Sequence, residues 1–498
     1  MPHSQDTGPL LIAIDQGTTS TRAIAFDVNG SSVASAQHPF PQIYPQDGWV
    51  EQDAEVIWQS AQNCVASVFS EIGGADKVAA IGITNQRETT VVWDRNTGKP
   101  VYNAIVWQDR RGAGVCRKLV EDGHGDDIQE RTGLRPDSYF SATKVQWILE
   151  SDSAIRDKAV HGDLAFGTID TFLLWHLTGG TVHATDATNA SRTMLFNIHT
   201  QSWDTTLLNL FDVPEVMLPD VHDTAGDFGK TKLALFGAEI PIAAIVGDQQ
   251  GALVGQSCFS PGMAKATFGT GAFVLLNTGE KTPVSENKLL TTIGYRLEGS
   301  PTYAIEGSVF NAGTIVQWLR DQAGFISTAE ESAALARDAK ESAVTFVPAF
   351  TGLGAPHWDP DARGAILGLT RDTTSAEIVR AGLEAVCFQT KELLDAMVAD
   401  TGQPIDLLRV DGGMAANDWL LQTLADLLNL PIERPDNLES SVHGSALMAG
   451  LGVGLYDSLD GLSVGQTVDH LFEPSRSEDW RNASFQKWQD AVARVRTT

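Results

Sequence analysis

Two stretches half a chain apart repeat one pattern: an apolar strand enters a Gly/Thr turn and another apolar strand leaves it. The first is residues 10–27 (LLIAIDQGTTSTRAIAFD) and the second is residues 264–276 (AKATFGTGAFVLL). Short apolar runs flanking a Gly/Thr/Ser turn are a hairpin signal. The recurrence, Gly17-Thr18-Thr19 against Gly269-Thr270-Gly271, predicts two similar domains over the 498 residues, 1–256 and 257–498.

Between the turns, strand and helix signals alternate, which indicates α/β architecture. Residues 52–69 read as a helix with Asp53 as N-cap. Residues 78–84 and 89–93 read as strands around a turn that holds Arg87 and Glu88. In the second half, 374–377 (TSAE) is a capping box opening a long Ala/Leu-rich helix towards residue 398. Residues 407–410 form a strand, followed by Asp411-Gly412-Gly413 and a helix over 417–428. No low-complexity linker divides the chain, so any hinge is expected to be short.

With 35 basic and 63 acidic residues the net charge is −28. That argues against nucleic acid or an anionic membrane as the main partner. An anionic substrate would then need local groups: a cation, backbone N–H groups or a placed Arg. The four cysteines (64, 116, 258 and 387) are far apart and form no C-x-x-C pair, which reads as a reducing compartment. No signal-peptide pattern is visible and no apolar run is long enough to span a bilayer, so a cytoplasmic location is expected.

Four stretches carry candidate chemistry. In 15–20 (DQGTTS), glycine permits close backbone approach to phosphate, turn N–H groups and hydroxyls can wrap its oxygens, and Asp15 can reach a phosphate-bound magnesium. Arg22 adds a cation. Read alone, the same residues serve as an ordinary hairpin turn. In 247–251 (GDQQG), Asp248 ends an apolar strand, where a general base or a metal ligand would sit, or where an Asp would cap the next helix. In 85–88 (NQRE), Arg87 and Glu88 offer adjacent donors and acceptors suited to a polyol, or a solvated turn. In 411–417 (DGGMAAN), paired glycines before a helix suit close approach of a nucleotide, or a tight strand-to-helix connection. Residues 224–231 only approximate a phosphate-binding P-loop, because Thr224 stands where glycine is required.

In this order, residues 13–22 (AIDQGTTSTR), 84–89 (TNQRET), 106–111 (VWQDRR), 139–144 (YFSATK), 247–250 (GDQQ), 268–271 (FGTG), 364–369 (GAILGL) and 410–413 (VDGG) resemble the sugar and polyol kinases of the FGGY carbohydrate kinase family. The likeness spans residues 10–455. It implies α/β architecture with two actin-like (RNase-H-type) domains and a cleft between them. The TNQRET stretch favours glycerol over larger sugars, so the implied reaction is ATP-dependent phosphorylation of glycerol to sn-glycerol 3-phosphate. The alternatives are another polyol or sugar kinase of the family, or an actin- or chaperone-like ATPase. The resemblance puts glycerol against Arg87, Glu88, Trp107, Tyr139, Asp248, Gln249 and Phe273. It puts ATP at Thr18, Thr19, Ser20, Arg22, Thr270, Gly313, Gln317, Gly413 and Asn417. Mg2+ would lie near Asp15 and Asp248, with Asp248 as the base. A homo-oligomer, dimer or tetramer, is expected.

One departure stands out. Many bacterial relatives that phosphorylate glycerol carry a Gly-rich loop ending in Arg ahead of the catalytic Asp, where fructose 1,6-bisphosphate binds. Here residues 233–239 read LALFGAE: an acid replaces the cation and most glycines are gone.

Overall fold

The structure is a computed structural model describing residues 8–359, 361–463 and 467–497. The chain gathers into two compact units that are not continuous in sequence. The first takes the N-terminal part to Ser257, then Thr291–Tyr303, then a returning segment from Ser440. The second takes Cys258–Leu290, Ala304–Glu439 and the C-terminal segment.

The first unit is built on a five-stranded mixed sheet ordered Ile242–Gly247, Val78–Asn85, Leu10–Gln16, Ser20–Phe26 and Ser32–Pro39. The first three strands are parallel, and the hairpin predicted over 10–27 supplies the antiparallel side. A four-stranded sheet joins Glu51–Gln52, Ala104–Ile105, Thr90–Asp94 and Leu164–Thr168. The strands on either side of Arg87 and Glu88 therefore belong to different sheets. Ile12, Ile14, Ile81, Ile83 and Ile245 pack against Val65, Phe69, Phe172 and Trp93 in one buried core. Period-two alternation gives each strand one face for this core.

The second unit repeats the plan. Strand Ala264–Phe268 pairs antiparallel with Ala272–Gly279 on one side and parallel with Leu408–Asp411 on the other, and Ile432–Pro435 follows in parallel. The expected Gly269 turn closes that hairpin. The core is separate: Phe268, Val274 and Leu276 pack with Leu383, Val386, Leu420 and Trp488.

Local signals were accurate where local chemistry sets them. Asp53 caps the helix Ala54–Ile72 by accepting the Glu55 N–H at 2.9 Å, and Gly73 ends it in the left-handed region at φ 86°. Gln52, expected inside that helix, instead ends the short strand Glu51–Gln52. Thr374 and Glu377 form the capping box of the 27-residue helix Ser375–Thr401. Among the described residues, no helix is long and apolar enough to cross a membrane.

The returning helix Ser440–Gly452 packs on the strands of the first sheet and on the helix Asp248–Gly255. The two helices meet backbone to backbone. A Cβ on Gly444 would lie 1.9 Å from the Gly251 carbonyl oxygen, and one on Gly255 would lie 2.0 Å from that of Ser440. No larger residue fits this crossing, which holds the helix that Asp248 opens.

Candidate active site

The register of the parallel strands brings the sequence motifs of the first unit to one sheet end. Gln16 pairs with Asn85, and Asn85 with Gly247. The next residues of those three strands are Gly17 of the first Gly/Thr turn, Gln86-Arg87-Glu88, and Asp248. Carboxyl ends of strands in α/β sheets are where ligands bind.

Arg87 is the hub. Its Nε lies 3.2 Å from the Asp248 carboxylate, its Nη1 donates to Gln250 Oε1 at 3.2 Å, and its Nη2 donates to the Tyr139 hydroxyl at 3.4 Å. Gly247 matters here because a Cβ would come within 2.9 Å of the Arg87 side chain. Glu88, buried and in the left-handed region at φ 61°, accepts from Arg192 Nε at 2.6 Å. The Arg192 guanidinium also lies 5.5 Å from the centroid of the Tyr139 ring. Trp107 meets Tyr139 edge to face with ring centroids 5.7 Å apart. Asp248 is the first residue of its helix, and Gly247 is the cap. The helix-cap alternative for Asp248 thus gives way to the Arg87 pairing.

Tyr139 sits on a turn fixed by a buried cation. Lys144 Nζ donates to the carbonyls of Ser138, Tyr139 and Phe140 at 2.8, 2.5 and 2.9 Å. Burial pulls the ammonium down to about 8, opposed by the charges of Glu88, Asp109 and Asp137.

On the first Gly/Thr turn, Gly17 N–H closes onto the Ser20 carbonyl at 3.0 Å. Ser20 and Arg22 both contact Gln37, whose Nε2 donates to Ser20 Oγ at 2.8 Å and whose Oε1 accepts from Arg22 Nη2 at 3.2 Å. Thr18 Oγ1 accepts from Trp107 Nε1 at 3.0 Å. Asp15 stands opposite Arg22 in the hairpin register.

In the second unit the Gly269–Gly271 turn rests on the start of the helix Gly313–Asp321. The Thr270 carbonyl accepts from Ala312 N and Thr314 N at 3.1 Å each and from Thr314 Oγ1 at 2.9 Å. A Cβ on Gly313 would stand 2.6 Å from the Gly269 carbonyl oxygen. Gln317 is exposed one helical turn beyond Gly313. Strand pairing sets Asp411 beside Thr267, next to this turn. Gly412 needs its positive φ of 86°, Gly413 faces open space, and Asn417 caps the helix Asp418–Leu428 by accepting the Leu420 N–H at 3.0 Å. Phe273 belongs to this unit, opposite Thr267, unlike the rest of the proposed glycerol set.

Two family models match the chain: the N-terminal domain of the FGGY family of carbohydrate kinases over residues 10–255, and the C-terminal domain over residues 264–453. The chain belongs to the FGGY family of carbohydrate kinases. A glycerol kinase of Marinomonas sp. (strain MWYL1) is 56% identical over 489 residues, covering 98% of this chain and 99% of that protein. Glycerol kinase 1 of Pseudomonas aeruginosa is 54% identical over the same length. Among solved structures, Plasmodium falciparum glycerol kinase with ADP superimposes with a TM-score of 0.93 at 37% identity, over 98% of each chain. A xylulose kinase of Lactobacillus acidophilus, at 22% identity and a TM-score of 0.87, shares the fold. The fold is thus the two-unit, actin-like α/β fold of the FGGY kinases.

Several residues around the FGGY kinase motifs escaped sequence reasoning: Arg192 on Glu88, Gln250 on Arg87, Gln37 on Ser20 and Arg22, and Thr314 on Thr270. Arg192, Gln37 and Thr314 sit in no Gly-rich or strand-end pattern that points to these partners. Gln250 alone had a visible signal, as part of GDQQ. Among the described residues no group of three or more His, Cys, Asp or Glu could hold a metal. A pair of carboxylates suits magnesium, which keeps waters and substrate phosphates as its other ligands.

Proposed function

We propose that the chain transfers the γ-phosphate of ATP to glycerol, giving sn-glycerol 3-phosphate and ADP. The observation that carries this reading is the Arg87 cluster. A guanidinium held by Asp248, Gln250 and Tyr139 stands beside a Glu88 carboxylate held by Arg192. Fixed donors and acceptors at close quarters match a small polyol, whose hydroxyls do both. The high identity to glycerol kinases over almost the whole length supports glycerol over larger sugars.

In this reading Arg87, Glu88, Tyr139 and Gln249 orient the glycerol hydroxyls, and Trp107 and Phe273 pack its carbons. Asp248 accepts the proton of one terminal hydroxyl as that oxygen attacks the γ-phosphorus. Thr18, Thr19, Ser20, Arg22 and Thr270 meet the phosphates with hydroxyls, N–H groups and one cation, while Gly313, Gln317, Gly413 and Asn417 receive the rest of the nucleotide. Asp15 and Asp248 would hold Mg2+, which when bound neutralises phosphate charge. In this reading the sequence domains are 1–256, with the polyol set apart from Phe273, and 257–498, with most of the nucleotide set, while Thr291–Tyr303 and the segment from Ser440 return to the first compact unit.

The test is coupled ADP release across a panel of glycerol, erythritol, D-xylulose and gluconate. ADP release that depends on glycerol and yields sn-glycerol 3-phosphate supports the reading. Equal ATP consumption without any polyol would favour the ATPase alternative.

A further inference from the structure

Three glutamine side chains, Gln16, Gln52 and Gln86, are buried beside the phosphate turn of the first unit. A buried amide costs free energy unless it is hydrogen-bonded. Here the bonds close a ring. Trp107 Nε1 donates to Thr18 Oγ1 at 3.0 Å, and Trp107 N donates to Thr89 Oγ1 at 3.2 Å. Thr89 Oγ1 donates to Gln86 Oε1 at 3.1 Å, and Gln86 Nε2 donates to Gln52 Oε1 at 2.8 Å. Gln52 Nε2 donates to the Thr18 carbonyl at 2.6 Å, which returns to the start. Gln86 Nε2 also donates to Gln16 Oε1 at 3.0 Å, and Gln16 Nε2 to the Gly17 carbonyl at 2.7 Å.

Every amide orientation in this set is over-determined. Reversing any of them would face donor to donor or acceptor to acceptor. With its Gln16 branch, the ring also spans two sheets. Gln16 ends a strand of the five-stranded sheet, while Gln52 belongs to the four-stranded one. Gln86 lies in the connection between the sheets, next to Arg87. One face of the ring is therefore the turn at Thr18, and another is the stretch that bears Arg87 and Glu88.

We propose that Gln52 and Gln86 are positioning residues for phosphoryl transfer, fixing the phosphate turn at a set distance from the polyol residues. The proposal rests on the reading above, in which Thr18 meets phosphate and Arg87 meets glycerol. Neither glutamine need touch either substrate. A displacement near 1 Å between reacting groups costs up to about a hundredfold in rate, so such a spacer is worth building from buried amides.

The test uses the full-length enzyme with Gln52→Met, Gln86→Met and the double variant. Methionine keeps length and removes the hydrogen bonds. For Gln52→Met, kcat should fall about ten- to a hundredfold, with glycerol affinity in the absence of nucleotide changing less than about twofold. The two amides share one bond, from Gln86 Nε2 to Gln52 Oε1, so each single variant strands a group that the double variant removes, and the double variant's loss of thermal midpoint should be smaller than the sum of the single losses. Its kcat should not recover, because the Thr18 carbonyl has lost the short Gln52 bond and keeps only Gln42 Nε2 at 3.4 Å. A Gln52→Met enzyme with kcat within about threefold of wild type would overturn the proposal. So would a double variant whose kcat recovers together with its thermal midpoint, since that is the mark of a merely structural role. Asp248→Asn is assayed alongside: normal turnover there would overturn the site reading itself. If Asp248→Asn is inactive and Gln52→Met is normal, only the positioning proposal falls.

Discussion

Arg87 and Asp248 meet at 3.2 Å, the arginine side chain 2% exposed and the aspartate side chain 32% exposed. The asymmetry has a chemical use. Arg87 is immobilised by Gln250 and Tyr139 through its other nitrogens, so it aims the carboxylate without covering it. An Asp held this way can accept a proton from a hydroxyl presented on its open side. Asp248→Asn keeps the shape and loses the acceptor. Its kcat should drop at least ~10²-fold, measured by coupled ADP release on a folded variant. Near-normal turnover would remove Asp248 from the role of base.

Arg87→Ala should act on glycerol. Buried substrate hydroxyls would lose a charged partner worth about 1.5–3 kcal/mol, roughly ten- to a hundredfold in glycerol affinity. Glu88 keeps its Arg192 partner, so the site should not collapse. Calorimetric binding of ATP without glycerol should change little. Equal loss of both affinities would mean that Arg87 supports the whole sheet end.

Gly313→Ala probes the second turn. Its Cβ would stand 2.6 Å from the Gly269 carbonyl oxygen, so the Gly269–Gly271 turn must shift. The KM for ATP should rise about tenfold, while glycerol affinity without nucleotide is retained. An unchanged KM for ATP would count against a nucleotide role for this turn.

Asp170 should give a pH signature in stability. Burial pushes its carboxyl up to about 6, against hydrogen bonds from Thr168 and Thr185 and with help from the nearby Asp186 charge. The folded value lies above the unfolded one, so the folded state holds the extra proton between them. Stability from this group is present below about pH 4 and is lost as pH rises through about 6. Asp170→Asn cannot ionise. The difference in thermal midpoint, variant minus wild type, should therefore grow between pH 4.5 and pH 7.5. A pH-independent difference would show that Asp170 does not titrate there.

Fructose 1,6-bisphosphate should not inhibit through residues 233–239. A doubly phosphorylated sugar needs cations and free N–H groups, and bidentate Arg is the usual device. Here Leu233–Phe236 is a single helical turn ended by Gly237 at φ 74°, and Glu239 follows. Lys230 and Lys232, just upstream, are the cations that could substitute. The check is a titration at fixed ATP and glycerol with free Mg2+ held constant. Saturable submillimolar inhibition, lost on mutating residues 230–239, would reverse this expectation.

The sequence by itself determined what local chemistry determines. Gly17 and Gly269 marked the two hairpins, Asp53 and the Thr374/Glu377 pair marked helix starts, and strand-end motifs marked Arg87, Glu88 and Asp248. Tertiary structure decided which of these groups meet and who holds them. Gln250 reaches Arg87 across 163 positions and Arg192 reaches Glu88 across 104. Neither residue has a periodicity or turn pattern that announces its partner. The strands flanking Arg87 looked like neighbours and proved to serve two sheets, because pairing depends on registers supplied by distant strands. The helix Ser440–Gly452 mixes small, polar and apolar residues and is buried on nearly every side, so no apolar stripe shows where it packs. Its place beneath Asp248 follows from Gly251, Gly255 and Gly444, whose missing side chains allow two backbones to touch only once the chain has folded back.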